Sequence, residues 1–272
     1  MTGSLRPFNI SRMSSQTVLI TGASGGIGYE MAKLFARDHH NLVLVARSRD
    51  KLLQVANELQ ASGVAVKTVA LDLAEAPAAK FLFDQMQREG IVIDILINNA
   101  GFGAFGEFAQ MRHQEIVGQI HLNVMALTEL THFFVQPMVS RRKGKIMNVA
   151  STAGFQPGPL MAVYYATKAY VISFSEAIAN ELRGSGVSVT CFCPGATRTG
   201  FAARAGNDQS RLFKKFGAMG AEKVALDGYR ALMHGRTLVI SGAHNWITAQ
   251  STRFAPRRLV TGISRWVSEQ AD

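Results

Sequence analysis

Short runs of aliphatic and β-branched residues alternate along this chain with longer stretches in which apolar positions recur every three or four residues. The runs at 18–21, 41–46, 65–70, 93–97, 145–149, 187–193 and 237–241 are almost continuously apolar. Strands covered on both faces have that character. Stretches at roughly 26–38, 50–61, 76–89, 112–140, 162–183 and 221–233 carry the helical period instead. Ser48 or Asp50 is placed to cap the second helix, and Gly184 and Gly186 to end the fifth. Strand and helix in alternation specify parallel pairing through right-handed crossovers. The pattern therefore predicts an α/β fold: a doubly wound parallel sheet of about seven strands with helices on both faces.

No internal repeat and no Pro/Gly/Ser linker divides the chain, so residues 16–250 read as one domain. Residues 1–15 read as a flexible leader. The stretch 200–220, rich in Ala, Gly, Arg and Phe, falls between the last two strands and reads as a lid over a substrate pocket. Residues 251–272 form a tail after the last strand. Within it, 257–267 place Leu259, Val260, Ile263, Trp266 and Val267 near one helical face, with Arg257, Arg258 and Arg265 elsewhere. Such a helix is amphipathic. Packing onto its own domain or a twin subunit is the first expectation, and peripheral contact with an anionic membrane is the second.

Composition narrows the classes. Hydrophobic residues at 47% against 18% charged allow a large core and exclude a disordered chain. The start has no apolar segment of signal-peptide length, and no run reaches about 18 apolar residues, so a cytoplasmic location is expected. The two cysteines, Cys191 and Cys193, one residue apart, read as buried thiols. The net charge of +10 favours anionic partners. No zinc-finger or RNA-binding spacing accompanies it, so nucleic acid is not an expected partner. The seven histidines lack ligand spacing, so no metal is expected.

Four local patterns carry chemistry. Val18-Leu19-Ile20-Thr21-Gly22-Ala23-Ser24-Gly25-Gly26-Ile27-Gly28 runs from a buried strand through a glycine-rich turn into a helix. Glycines let the backbone approach a pyrophosphate, which the free N–H groups at the helix start then hold. That assigns Gly22, Ser24, Gly25, Gly26, Ile27 and Gly28 to a dinucleotide and makes the sheet Rossmann-type. At the end of the second strand, Arg47 and Ser48 stand where an acidic residue would bind the ribose 2′-OH of NAD. A guanidinium suits a 2′-phosphate, so NADP(H) is favoured over NAD(H). Gly25, where a second basic residue would strengthen that preference, counts against it. Tyr164 and Lys168 stand four apart on a helix and share a face. An adjacent ammonium lowers a phenol's pKa toward useful proton transfer. Ser151, at the carboxyl end of the fifth strand, can hydrogen-bond a substrate oxygen beside Tyr164, or can serve as a turn cap.

With these residues in order, the chain resembles the short-chain dehydrogenase/reductase family in its single-domain branch, over about residues 16–242. Asp72, Asn98-Asn99-Ala100-Gly101, Asn123, Ser151, Tyr164 with Lys168, and Pro194-Gly195 followed by Thr199 complete the resemblance. It implies that Tyr164 exchanges a proton with the substrate oxygen that Ser151 fixes, both touching substrate. It implies that Lys168 holds the nicotinamide ribose and depresses the phenol, and that Asn123 binds a relay water. Asp72 would meet the adenine, Asn99, Ala100 and Gly101 the adenosine side, and Pro194, Gly195 and Thr199 the nicotinamide. A homodimer or homotetramer is also implied.

The expected activity is therefore hydride transfer between NADP(H) and a carbonyl or alcohol carbon. The alternative is a catalytically silent NADP-binding regulatory or scaffold protein, for which a poised phenol has no use. Phe102, Phe105, Phe155, Leu160, Met161, Phe201, Phe213 and Phe216 predict an apolar pocket and a hydrophobic small-molecule substrate.

Overall fold

A computed structural model of the chain describes residues 15–214 and 217–270. The leader, apart from Ser15, lies outside the described residues.

The strands are β1 (Thr17–Thr21), β2 (Asn41–Ala46), β3 (Val66–Ala70), β4 (Ile95–Asn98), β5 (Gly144–Val149), β6 (Val187–Cys193), β7 (Thr197–Arg198), β8 (Met219–Gly220) and β9 (Leu238–Ile240). The helices are α1 (Gly26–Arg37), α2 (Arg49–Gln60), α3 (Ala78–Arg88), α4 (His113–Ile120), α5 (Leu127–Ser140), α6 (Ala162–Glu181), α7 (Gly200–Ala205), α8 (Arg211–Lys214), α9 (Ala221–Met233), α10 (Ala243–Ser251) and α11 (Arg257–Ser268). Seven strands form one parallel sheet in the order β3-β2-β1-β4-β5-β6-β9. This is a Rossmann-like doubly wound fold. Its order reverses between β1 and β4, and in such sheets the crevice at the carboxyl edge of that reversal binds the ligand.

Alternation within each strand feeds two separate cores. Val18 and Ile20 of β1 join Met31 and Phe35 of α1, Leu52 of α2 and Leu232 of α9. Leu19 joins Leu82 and Met86 of α3 and Leu130, Phe134 and Met138 of α5 on the other face. All three β1 side chains are fully buried, which explains the unbroken apolar run in the sequence.

Several expected boundaries shift. The strand expected at 93–97 pairs only as Ile95–Asn98, and the last one shortens to Leu238–Ile240. The helix expected over 112–140 is not uniform: α4 passes into a π-helical turn, His121–Ala126, before α5. One wider turn leaves the apolar stripe on either side intact, so periodicity does not reveal it. Ser48 does stand at the start of α2, but its hydroxyl makes no capping bond. Gly184 (φ 78°) and Gly186 (φ 86°) take left-handed turns after α6. Helix α11 forms where the amphipathic pattern placed it, but rotated. It buries Ser264 and Ser268, half-buries Val260 and Val267, and exposes Leu259, Ile263 and Trp266. The expected packing of its apolar face onto the domain is realised only at one edge.

Candidate active site

β1 delivers the chain to Gly22, whose φ of +68° lies in the left-handed region. Thr21 then ties two strand ends together: its Oγ1 accepts from the backbone N–H groups of Asn99 and Ala100, each at 2.9 Å. Asn99 donates through Nδ2 to the Thr21 carbonyl at 2.9 Å. Gly28 is forced by space, since a Cβ there would lie 2.5 Å from the Gly22 carbonyl oxygen and 2.6 Å from Asn99 Nδ2. No side chain caps α1, so its first N–H groups face the turn without a protein acceptor from a cap. Arg47 Nη1 stands 3.6 Å from Asp72 Oδ2, and both line the cleft, Arg47 more than half exposed and Asp72 about a third. This glycine cradle fits a pyrophosphate, and the basic group at the end of β2 fits the far end of a dinucleotide.

One cavity of about 1330 Å³ joins these parts. It begins at Gly22, Ser24, Gly25, Gly26, Ile27, Arg47, Ser48 and Asp72, and passes Asn99, Ala100 and Gly101. It continues past Ser151, Tyr164, Lys168, Pro194, Gly195 and Thr199 and ends against α10 and α11. The sequence-derived residues thus meet in one place, except Gly28, which supports the turn from behind, and Asn123.

Tyr164 and Lys168 sit on one face of α6, with Lys168 Nζ 5.8 Å from the phenol ring centroid. Both are buried. The ammonium donates to the Val149 carbonyl at 2.8 Å rather than to the phenol. Burial pushes the Tyr164 phenol up, partly opposed by a hydrogen bond with the Ser151 hydroxyl. Lys168 is not among the groups that shift it. Burial lowers Lys168 itself to about 8. Ser151 realises its reading as a turn cap. Its Oγ accepts from Ala153 N at 3.1 Å, capping a 3-10 turn, while it faces Tyr164 in the cavity.

Asn123 lies in the π-helical turn and holds the loop after β4. Its Nδ2 donates to the Phe102 carbonyl (2.9 Å) and to Thr167 Oγ1 (3.1 Å), and its Oδ1 accepts from Phe102 N (3.1 Å). A Cβ on Gly101 would lie 3.0 Å from Asn123 Oδ1 and 3.5 Å from Lys168 Nζ, so only a glycine's width separates the two side chains.

The apolar wall differs from expectation. Phe102, Met161, Phe201 and Phe213 line the cavity. Phe105 packs behind it, against the cluster of Ala153, Met161, Tyr164, Tyr165 and Ala205, and Phe155 packs against the Leu127–Ile172 cluster. Leu160, in a left-handed turn at φ 68°, is not a lining residue, and Phe216 lies outside the described residues. Sequence reasoning missed α10 altogether. Its Asn245 is bonded to the Ser241 carbonyl at 2.7 Å and packs on Gly195, where a Cβ would come within 2.3 Å of Nδ2. No periodic signal marks so short a helix after the last strand.

Described residues of the 200–220 stretch, among them Phe201, Arg204, Leu212 and Phe213, line the cavity, and the stretch is tied to the tail. Arg211 Nη1 meets Glu269 Oε2 and the Trp266 carbonyl, each at 3.0 Å, and the guanidinium lies 5.3 Å from the Trp266 ring centroid. Phe105 N donates to Ala205 O at 2.9 Å, holding the lid's other end. The lid and α11 form one latched wall.

Comparison with known proteins agrees with this geometry. A family model described as short chain dehydrogenase matches residues 16–210. The ketoacyl reductase HetN of Nostoc sp. is 36% identical over 186 residues, which is 68% of this chain and 65% of that protein's length. A short-chain dehydrogenase from Sphingobium yanoikuyae, solved in complex with NADPH, superposes with a TM-score of 0.79 at 35% identity, covering 88% of this chain and 94% of the other. The bulky-bulky ketone specific alcohol dehydrogenase of Comamonas testosteroni gives 0.75 at 31% identity, covering 88% and 92%.

Proposed function

The chain belongs to the short-chain dehydrogenase family, and we propose that it moves a hydride between NADP(H) and the carbonyl or alcohol carbon of a bulky lipophilic small molecule. The observation that carries this reading is the shared cavity. It puts Ser151 and Tyr164 between a glycine cradle and a wall built from Phe102, Met161, Phe201 and Phe213.

The nicotinamide, when bound, supplies or accepts the hydride. The chain's own residues do the rest. Ser151 would hold and polarise the substrate oxygen, and Tyr164 would give that oxygen its proton or take it back. A phenol is protonated at neutral pH and can donate in the reductive direction. Lys168 would hold the nicotinamide ribose. Asn123 Oδ1 accepts one bond and keeps a second lone pair, which suits it to a relay water beside that lysine. Arg47 and Ser48 favour NADP(H), since guanidinium matches a 2′-phosphate and no acidic residue ends β2. The NADPH held by the Sphingobium relative supports the same cofactor, and the name of the Comamonas relative supports a bulky ketone.

The test is NADPH oxidation over a panel of ketones and aldehydes, with NADH as control. Tyr164→Phe is expected to lower kcat by on the order of 10³-fold while NADPH binds as before. Unchanged turnover in that variant overturns the mechanism. Arg47→Asp should shift preference toward NADH, and an unaltered NADPH/NADH ratio would overturn the cofactor assignment.

A further inference from the structure

Helix α11 faces the wrong way for a helix packed only on its own chain. Leu259, Ile263 and Trp266, spaced four and three apart, are 55%, 53% and 47% exposed, whereas Ser264 and Ser268 are buried. Phe254, just ahead of the helix, is 89% exposed. α10 adds exposed Trp246 and Ile247. Across residues 243–270 the charged residues are Arg253, Arg257, Arg258 and Arg265 against Glu269 alone. The same helix walls the cavity, through Val260, Ile263, Ser264, Trp266 and Val267. Among the described residues no helix is long and apolar enough to cross a membrane.

We propose that this α10–α11 surface docks peripherally on an anionic lipid bilayer, with Phe254, Leu259, Ile263 and Trp266 in the interface and the arginines over the headgroups. Charge selects the occupant. Arg265 is held by Glu269 and Glu107, but a second copy using the same patch would still bring Arg253, Arg257 and Arg258 against their own counterparts, because a two-fold contact pairs a surface with itself. Residues 1–14 carry Arg6 and Arg12 and no acidic residue, so they are no better matched. An anionic lipid surface complements both the apolar stripe and the cations around it. Docking there sets a cavity wall against the bilayer, the phase in which lipophilic ketones collect.

Trp246 and Trp266 are the chain's two tryptophans, so intrinsic fluorescence reports this surface. Titrating the full-length protein with vesicles of phosphatidylcholine and phosphatidylglycerol should shift the emission to the blue and carry the protein into the vesicle pellet. Pure phosphatidylcholine should do far less. Arg253→Glu/Arg257→Glu/Arg258→Glu should weaken partitioning by on the order of 100-fold, since each cation at such a surface is worth roughly fivefold in affinity. Phe254→Ser/Leu259→Ser should weaken it by at least roughly tenfold. Both variants should still bind NADPH, which verifies their fold and separates this test from the catalytic one. The proposal is overturned if the wild type ignores anionic vesicles or if the variants partition as it does. It is overturned equally if Phe254→Ser/Leu259→Ser converts a stable dimer to monomers with vesicle binding unchanged.

Discussion

Lys168 shows what the site asks of single residues. Burial lowers its amine from 10.5 to about 8, so the folded protein holds this proton less tightly than the unfolded chain does. The contribution to stability therefore rises with pH between about 8 and 10.5, and the cost is largest below that window. At pH 7 the shift corresponds to about 3 kcal/mol. Lys168→Met should recover about 2 kcal/mol of it, the rest offset by the loss of the bond to Val149 O. By pH 10 the gain should have disappeared. Urea denaturation of both proteins at pH 7 and pH 10 checks this, and a variant less stable than wild type at pH 7 would contradict it. Two glycines of the turn make a sharper contrast. Gly28→Ala drives a methyl to 2.5 Å from backbone, so a loss of about 2 kcal/mol and of NADPH binding is expected. Gly25 has nothing within 4 Å of a Cβ, and its alanine variant should melt within about 0.5 kcal/mol of wild type.

Among the elements, the strands were the most legible from sequence, because burial on both faces writes them as unbroken apolar runs. Glycine spacing, Arg47, Ser151 and the Tyr164–Lys168 pair were equally readable, since each depends on contacts near in sequence or on a strand end. What escaped was set by distant neighbours. The π-helical turn that presents Asn123 changes no apolar spacing, and α10 becomes part of the site only because Asn245 packs on Gly195. The orientation of α11 escaped for a related reason: its serines, not its aliphatics, meet the domain. Its side-chain latch to the 200–220 stretch is Arg211, buried enough to lose much of its solvent screening, beside a backbone bond from Arg211 N to Glu269 O and a bridge from Ser210 to Gln270. Arg211→Ala should loosen that stretch from the tail, raising KM for bulky ketones severalfold while the NADPH Kd stays unchanged. Equal KM values in steady-state assays would show that the latch does not shape the pocket.

For the whole molecule, the sheet reversal between β1 and β4 places the glycine turn, Ser151 with Tyr164, and the apolar wall around one cavity. Apolar side chains are also exposed where α4 passes into α5 and on α6, which pack together. Ile120, Met125 and Tyr170 are exposed there, with Tyr170 stacked on Phe174 at 5.7 Å and bonded to Thr128 at 3.0 Å. We expect a homodimer or homotetramer through this face. Light scattering should show subunits separating in Met125→Glu/Tyr170→Glu and remaining together in the α11 variants. The family-model match ends at residue 210, one position before Arg211, while the Sphingobium and Comamonas structures superpose over 88% of the chain. The glycine turn, Ser151 and Tyr164 lie inside the model's span, whereas Arg211, α10 and α11 lie past it. Transplanting residues 211–270 onto a relative should carry ligand preference across and leave the recipient's coenzyme choice untouched. Gln270 pairs with Ser210 beside that very wall, so bulk grafted at residue 270 would crowd the cavity's mouth.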